Sequence, residues 1–228
     1  TPLLEALEHN VQALLIDRSV TRRRLRTEAD AWLSDADKEQ FLEGAAQLRK
    51  EHALVMSDVE NDAFRDPAVE LVPRFEAWRT RYLGDYDKAW GGLALANAWE
   101  WYARYEIALW DPLWRAADDD LCLGGPVDGI PGFAWEHAMS AYVGESNAGG
   151  DNEMLATMLT RVVVPRLEAL AQAYDAYSAM ETTAALQVVE QVSYVVEKTP
   201  MRSLLSAYRD ALDRACLLYT SPSPRDRG

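Results

Sequence analysis

Cysteine is nearly absent from this chain. Two occur in 228 residues, Cys122 and Cys216, without a Cys-x-x-Cys spacing. That excludes a disulfide framework and a four-thiolate zinc site, and it suits a reducing compartment, cytosol or nucleus. Histidine is scarce too, with His9, His52 and His137 in three separate predicted helices. The residues three positions before them are Ala6, Arg49 and Ala134, so the Glu-x-x-His pairs of a di-iron helical bundle are missing. No apolar run approaches the roughly 20 residues that a membrane-spanning helix needs.

Basic residues are also in deficit, 23 against 37 acidic, for a net charge of −14. Such a surface repels phosphate backbones, which argues against a free-standing nucleic-acid-binding domain. It favours basic partners or simply solubility. No segment alternates with period two for long enough to read as a strand. The β-branched run Val162-Val163-Val164 comes nearest, and its flanks are helical. Neither a fixed-period repeat nor a Gly-x-Ser-x-Gly nucleophile elbow occurs. Gly124-Gly125 and Gly149-Gly150 lack the following Lys-Ser/Thr of a phosphate loop.

What remains is rich in apolar (49%) and aromatic (10%) residues, enough for a sizeable core in one domain or two small ones. Residues 74–113 hold five of the eight tryptophans: Trp78, Trp90, Trp99, Trp101 and Trp110. Around them the apolar spacing is helical. Helices are expected over 3–33, from the Ser34-Asp35 cap to about Met56, over 67–82, and over 86–109 capped by Asp85. Further helices are expected over 132–143, from Asp151 past Pro165 to Tyr174, over 181–197, and from Pro200 to Leu212. Residues 57–66, 115–131 and 144–150 read as loops. Pro73 either starts or kinks its helix, and Gly91-Gly92 lie inside the next one, where a bend or a close backbone would tolerate them. The expected fold is all-α, an irregular bundle or solenoid-like stack of antiparallel helices.

The organisation read from the sequence is an N-terminal helical arm over 1–57 and a helical domain over 58–215. Residues 217–228, LLYTSPSPRDRG, resemble translated vector sequence and are set apart from the fold. The helical pattern is expected to stop at Arg214. Because the chain opens at Thr1 inside an amphipathic pattern, it reads as a fragment whose N-terminal targeting is unreadable.

Few polar sets invite a chemical reading. Glu100, Arg104 and Glu106 share the Trp-rich helix, and Glu100 and Arg104 are four apart, spaced to pair. Two carboxylates beside tryptophans can do acid–base work; a structural ion pair is the expected role here. Arg22, Arg23, Arg24 and Arg26 form a basic run that either touches phosphate or, as expected on an exposed helix, pairs with Glu28 and Asp30. Asp118, Asp119 and Asp120 lack the alternating ligand spacing of a calcium loop. The tryptophans are read as core, with one or two exposed ones marking a protein-binding patch. No catalytic, cofactor-binding or metal-ligating residue is nominated.

One resemblance adds to this. Arg74-Phe75-Glu76-x-Trp78-Arg79 is followed by Tyr86 with Ala89, Gly92-Leu93-x-Leu95, Arg104, and Trp110-x-Pro112-Leu113. Later come Val164-Pro165-Arg166-Leu167 and Tyr174-Asp175-x-Tyr177-Ser178, and ahead of the core Val55-x-x-Asp58-Val59. In order and spacing, over roughly residues 55–212, these resemble the GCFC domain of the GC-rich-sequence DNA-binding factor family. That family includes the Pax-binding proteins and, more distantly, the tuftelin-interacting proteins. Two departures stand out: the family's Leu-Pro-Lys is Leu95-Ala96-Asn97 here, and Ala176 replaces a proline. The resemblance implies a non-enzymatic nuclear scaffold, without cofactor, that binds proteins in pre-mRNA splicing or transcription regulation. Direct DNA binding by a transcription factor fragment and a helical-bundle enzyme are the alternatives, and a membrane role is not expected.

Overall fold

A computed structural model describes residues 2–25, 33–60, 65–114, 121–144, 146, 148 and 150–220. Within them the fold is all-α, and no strand occurs. The elements are α1 (Pro2–Leu25), α2 (Asp35–Val55), α3 (Pro67–Arg81), α4 (Leu83–Lys88), α5 (Gly91–Ile107), α6 (Ala134–Gly144), α7 (Met154–Met158), α8 (Val164–Leu170), α9 (Ala179–Ser193) and α10 (Lys198–Thr220).

Local chemistry sets several boundaries. Ser34 accepts from the Asp37 N–H while the Asp37 carboxylate accepts from the Ser34 N–H, a reciprocal cap that starts α2. Asp66 caps α3 and Pro67 occupies its first position, where the missing N–H is not needed. Pro73 neither starts nor ends α3, which runs through it. Pro73 and Val69, whose carbonyl it leaves unbonded, are both exposed, so water can satisfy that group.

The 86–109 helix of the sequence reading is broken in the structure. Helix α4 ends at Lys88, and α5 begins only at Gly91, because Trp90 takes a left-handed backbone (φ 54°, ψ 49°). The two glycines therefore sit at a helix start, not in its interior. A Cβ on Gly91 would run into the Tyr86 ring, and one on Gly92 into the Asp151 carboxylate. Asp151 likewise begins a single 3₁₀ turn, Asp151–Glu153, that leads into α7. Between α7 and α8 the chain widens into a π-turn, Leu159–Val163, just before Pro165. That extra residue carries the helix past a proline that cannot donate. At the other end α10 continues beyond Arg214 to Thr220, since no breaker intervenes before Pro222.

Buried apolar side chains form two clusters, and α5 lies between them. Leu95, Trp99, Ala103 and Ile107 face the first, with Trp110, Phe133, Trp135, Met139, Met158, Leu167, Val188 and Leu204. Trp101 and Tyr105, on its other side, pack against the second. There Leu4, Leu7, Val11 and Leu15 of α1 meet Phe41, Ala45 and Leu48 of α2, and Ala108, Trp114 and Leu123 beyond α5. Each fully buried aliphatic side chain contributes roughly 1.5–3 kcal/mol of transfer free energy. The α1–α2 hairpin is thus fastened to the rest through apolar packing along α1.

Candidate functional site: polar clusters and a cleft around α5

Three polar clusters join elements distant in sequence. The first lies where α1 meets the segment after α5. The Arg18 guanidinium donates to both Asp111 oxygens, at 2.7 and 3.2 Å, and to the Leu121 carbonyl at 2.6 Å. It lies 4.3 Å from the Trp114 ring centroid and 5.1 Å from that of Phe41. One turn on, Arg22 contacts the same indole at 4.7 Å and donates to Glu181 at 2.5 Å, with Asp175 at 3.7 Å. Glu181 is 2% exposed, and its other oxygen accepts from the Asp175 N–H. Burial pushes the Glu181 carboxyl above its ordinary range, and Arg22 opposes that rise.

This corrects the expectation for the basic run. Arg22 is a partly buried cation clasping an indole and two carboxylates, because its acidic partners arrive from the segment around α9. Arg23 donates to the Ser19 carbonyl of its own helix. The Arg24 and Arg26 side chains, with Glu28 and Asp30, lie outside the described residues.

The second cluster centres on Asp151, fully buried. Its carboxylate accepts from Arg79 at 2.9 Å, Tyr86 at 2.7 Å and Ser146 at 2.5 Å. Tyr86 and Tyr142 share a hydroxyl contact at 3.0 Å, and Arg79 stacks 4.0 Å from the Tyr142 ring. Burial first, then the hydrogen bonds to Tyr142 and Asp151, drives the Tyr86 hydroxyl far above its usual pKa. It stays a neutral donor. Gly92 passes directly under this carboxylate, which explains the glycine.

The third involves the Glu100, Arg104 and Glu106 set. Arg104 does not pair with Glu100. It makes a two-pronged contact with Glu8 of α1, at 2.6 and 3.1 Å, because α1 brings that carboxylate across α5. Glu100 instead lies 3.7 Å from Arg161 in the π-turn. Glu106 faces another way and caps α6, accepting from the Ala134 and Trp135 N–H groups at 2.6 and 3.1 Å. Burial raises its pKa, partly offset by those two donors. The two carboxylates therefore do not converge on one site, as a bundle enzyme would require.

Arg166, 7% exposed, reaches the end of α5 and donates to the carbonyls of Ala108 and Trp110 at 3.0 and 3.5 Å. A cation at a helix C-terminus is well placed against the dipole. Desolvation still lowers its pKa to about 10, and its Nε has no hydrogen-bond partner. Arg166 lines a cleft of about 350 Å³ between α1, α5 and α8, with Glu5, Glu8, His9, Gln12, Glu100, Arg104, Arg161 and Pro165 around it. A second hollow, beside Arg18 and Phe41, measures only about 40 Å³.

The other residues singled out from the sequence are scattered. His9 is on the cleft wall, His52 stacks on Tyr105 at 4.1 Å and meets its carbonyl at 2.9 Å, and His137 is exposed on α6. Cys122 is half-buried and its thiol pKa is raised by burial, whereas Cys216 is exposed. Asp118, Asp119 and Asp120 lie outside the described residues. Of the tryptophans in 74–113, Trp99 and Trp110 are buried, Trp78 and Trp101 are half-buried, and Trp90 is 59% exposed. Arg18, Asp111, Asp151 and Arg166 were not read from sequence as organising residues. Their local sequence gives no sign of it: Arg18 sits beside Asp17, and Asp151 lies between Gly150 and Asn152.

Fold and clusters together define a helical protein whose matched motif residues hold its helices to one another. Arg79, Tyr86, Gly92, Arg104, Arg166, Asp175 and Ser178 all sit in the contacts just described or beside them. No family model matches the chain. Over 142 residues it is 24% identical to mouse PAX3- and PAX7-binding protein 1, a match covering 60% of this chain and 14% of that protein. The similarity is therefore to a binding protein, of which the chain spans a small part. It falls in the same family that the motifs resemble.

Proposed function

We propose that this chain is a GCFC-type helical scaffold, non-enzymatic and nuclear, that binds protein components of a splicing or transcription complex. The similarity to a PAX3- and PAX7-binding protein carries the reading. The polar clusters support it: Arg18, Asp111, Asp151 and Arg104 are consumed in contacts that join helices, as a rigid scaffold needs. In this reading residues 58–215 form the partner-binding body, and the arm over 1–57 is buttressed against it.

Direct DNA binding is the weaker alternative, since Arg22 is already engaged and the net charge is −14. Immunoprecipitation of the tagged full-length protein from nuclear extract, followed by mass spectrometry, tests the proposal. Recovery of splicing or transcription components above a tag-only control is expected. Their absence, with the bait recovered intact, contradicts it.

A further inference from the structure

The α1/α5/α8 cleft is built from three helix faces. Glu5, Glu8, His9 and Gln12 recur on one side of α1; Glu100, Arg104 and Ile107 do so on α5; Arg161, Pro165, Arg166 and Ala169 close the third wall. Ligand sites of this kind run from roughly 300 to 1,000 Å³, and this cleft, at about 350 Å³, falls within that range.

Its charges are unevenly used. Each Glu8 carboxylate oxygen accepts a hydrogen bond from Arg104, and Glu8 acts on Arg166 only through its charge at longer range. Arg161, half-exposed at its side chain, has only a loose 3.7 Å contact to Glu100 and a bond to the Asn97 side chain. Arg166 is more than nine-tenths buried, holds two backbone carbonyls, has no carboxylate hydrogen-bonded to it, and leaves its Nε unpartnered. A buried guanidinium without a direct counter-ion is costly, and the planar forks of arginine match carboxylate and phosphate oxygens in pairs.

We propose that this cleft is a binding site for one anionic group, a carboxylate or a phosphate, received between Arg161 and Arg166. Glu100 then acts as a built-in competitor, holding Arg161 loosely until the ligand displaces it. Selectivity arises at short range, since the net charge of −14 keeps bulk anions away. The inference does not rest on the scaffold reading, because it concerns the ligand's charge and not its source.

The test uses the full chain, isotope-labelled, and four probes: inorganic phosphate, a short phosphoserine peptide, its glutamate counterpart and its serine counterpart. Titration should move backbone resonances of residues 104–107 and 161–169 with phosphoserine or glutamate, and not with serine. Comparison with free phosphate tells whether the anion is read alone or on a peptide. Arg161→Gln, at an exposed side chain outside the core, should weaken binding about tenfold, the loss of one charge-assisted hydrogen bond. Glu100→Gln should tighten it by about twofold to fivefold, the scale of an exposed ion pair. No shift from any anionic probe, or affinities indifferent to both substitutions, would overturn the proposal.

Discussion

Asp111 and Arg18 have side chains only 2% and 5% exposed, so removing either leaves a buried charge without its partner. Asp111→Ala is expected to lower stability by about 3–5 kcal/mol in chemical denaturation. A loss below about 1 kcal/mol would mean that water reaches Arg18. Glycine supplies a contrasting pair. A Cβ at Gly92 meets the Asp151 carboxylate, whereas nothing lies within 4 Å of one at Gly84. Gly92→Ala should therefore destabilise by about 1–3 kcal/mol through overpacking. Gly84→Ala should stabilise by up to about 1 kcal/mol through helix propensity. The same denaturation experiment reads both. The helix cost of Gly91-Gly92 pointed to a close backbone or a bend inside a helix; they instead start α5, with another group set against Gly92. Which group it is was not legible, because Asp151 is 59 residues further along.

Among the elements, the starts of α2 and α3 followed from caps and a proline visible in the sequence, Ser34 and Pro67. The break at Trp90 did not, since a left-handed tryptophan has no local signature and is held by the packing of Gly91 and Gly92 behind it. The Glu100–Arg104 pairing failed for a related reason. Four-residue spacing places two side chains on one face, but a carboxylate from α1 offers Arg104 a better, two-pronged contact. Glu106 shows the same rule from the other side, spending its carboxylate on the first turn of α6. Glu106→Ala should lower stability by about 1 kcal/mol, the worth of an N-cap. Its pH dependence has a definite sign. Because burial raises the folded-state pKa above the unfolded value of 4.5, the stabilisation from protonated Glu106 is full below about that pH. It is lost as pH rises through the folded-state value. The stability of wild type relative to Glu106→Gln should accordingly fall from pH 4 to pH 7, and a rise over that range would contradict the assignment.

For the whole molecule, the all-α architecture was legible in helical periodicity throughout, but the joining of its parts was not. Helix α1 is tied to the rest by Arg18–Asp111, Arg22–Glu181 and Arg104–Glu8, contacts spanning 93, 159 and 96 residues. No local pattern announces such pairs. Of the motif residues that resemble the GCFC domain, Arg104 lies in one of these joints and Arg79, Tyr86, Gly92 and Arg166 lie in other contacts between helices, so these report how the scaffold is held and say little about what it holds. That leaves partner identity as the central matter. Proximity labelling in living cells, with the ligase fused to the full-length protein, measures it most directly. Nuclear labelling enriched in splicing or transcription components over a nuclear-targeted ligase alone is expected. Labelling confined to the cytoplasm, or indistinguishable from that control, would contradict the proposed function.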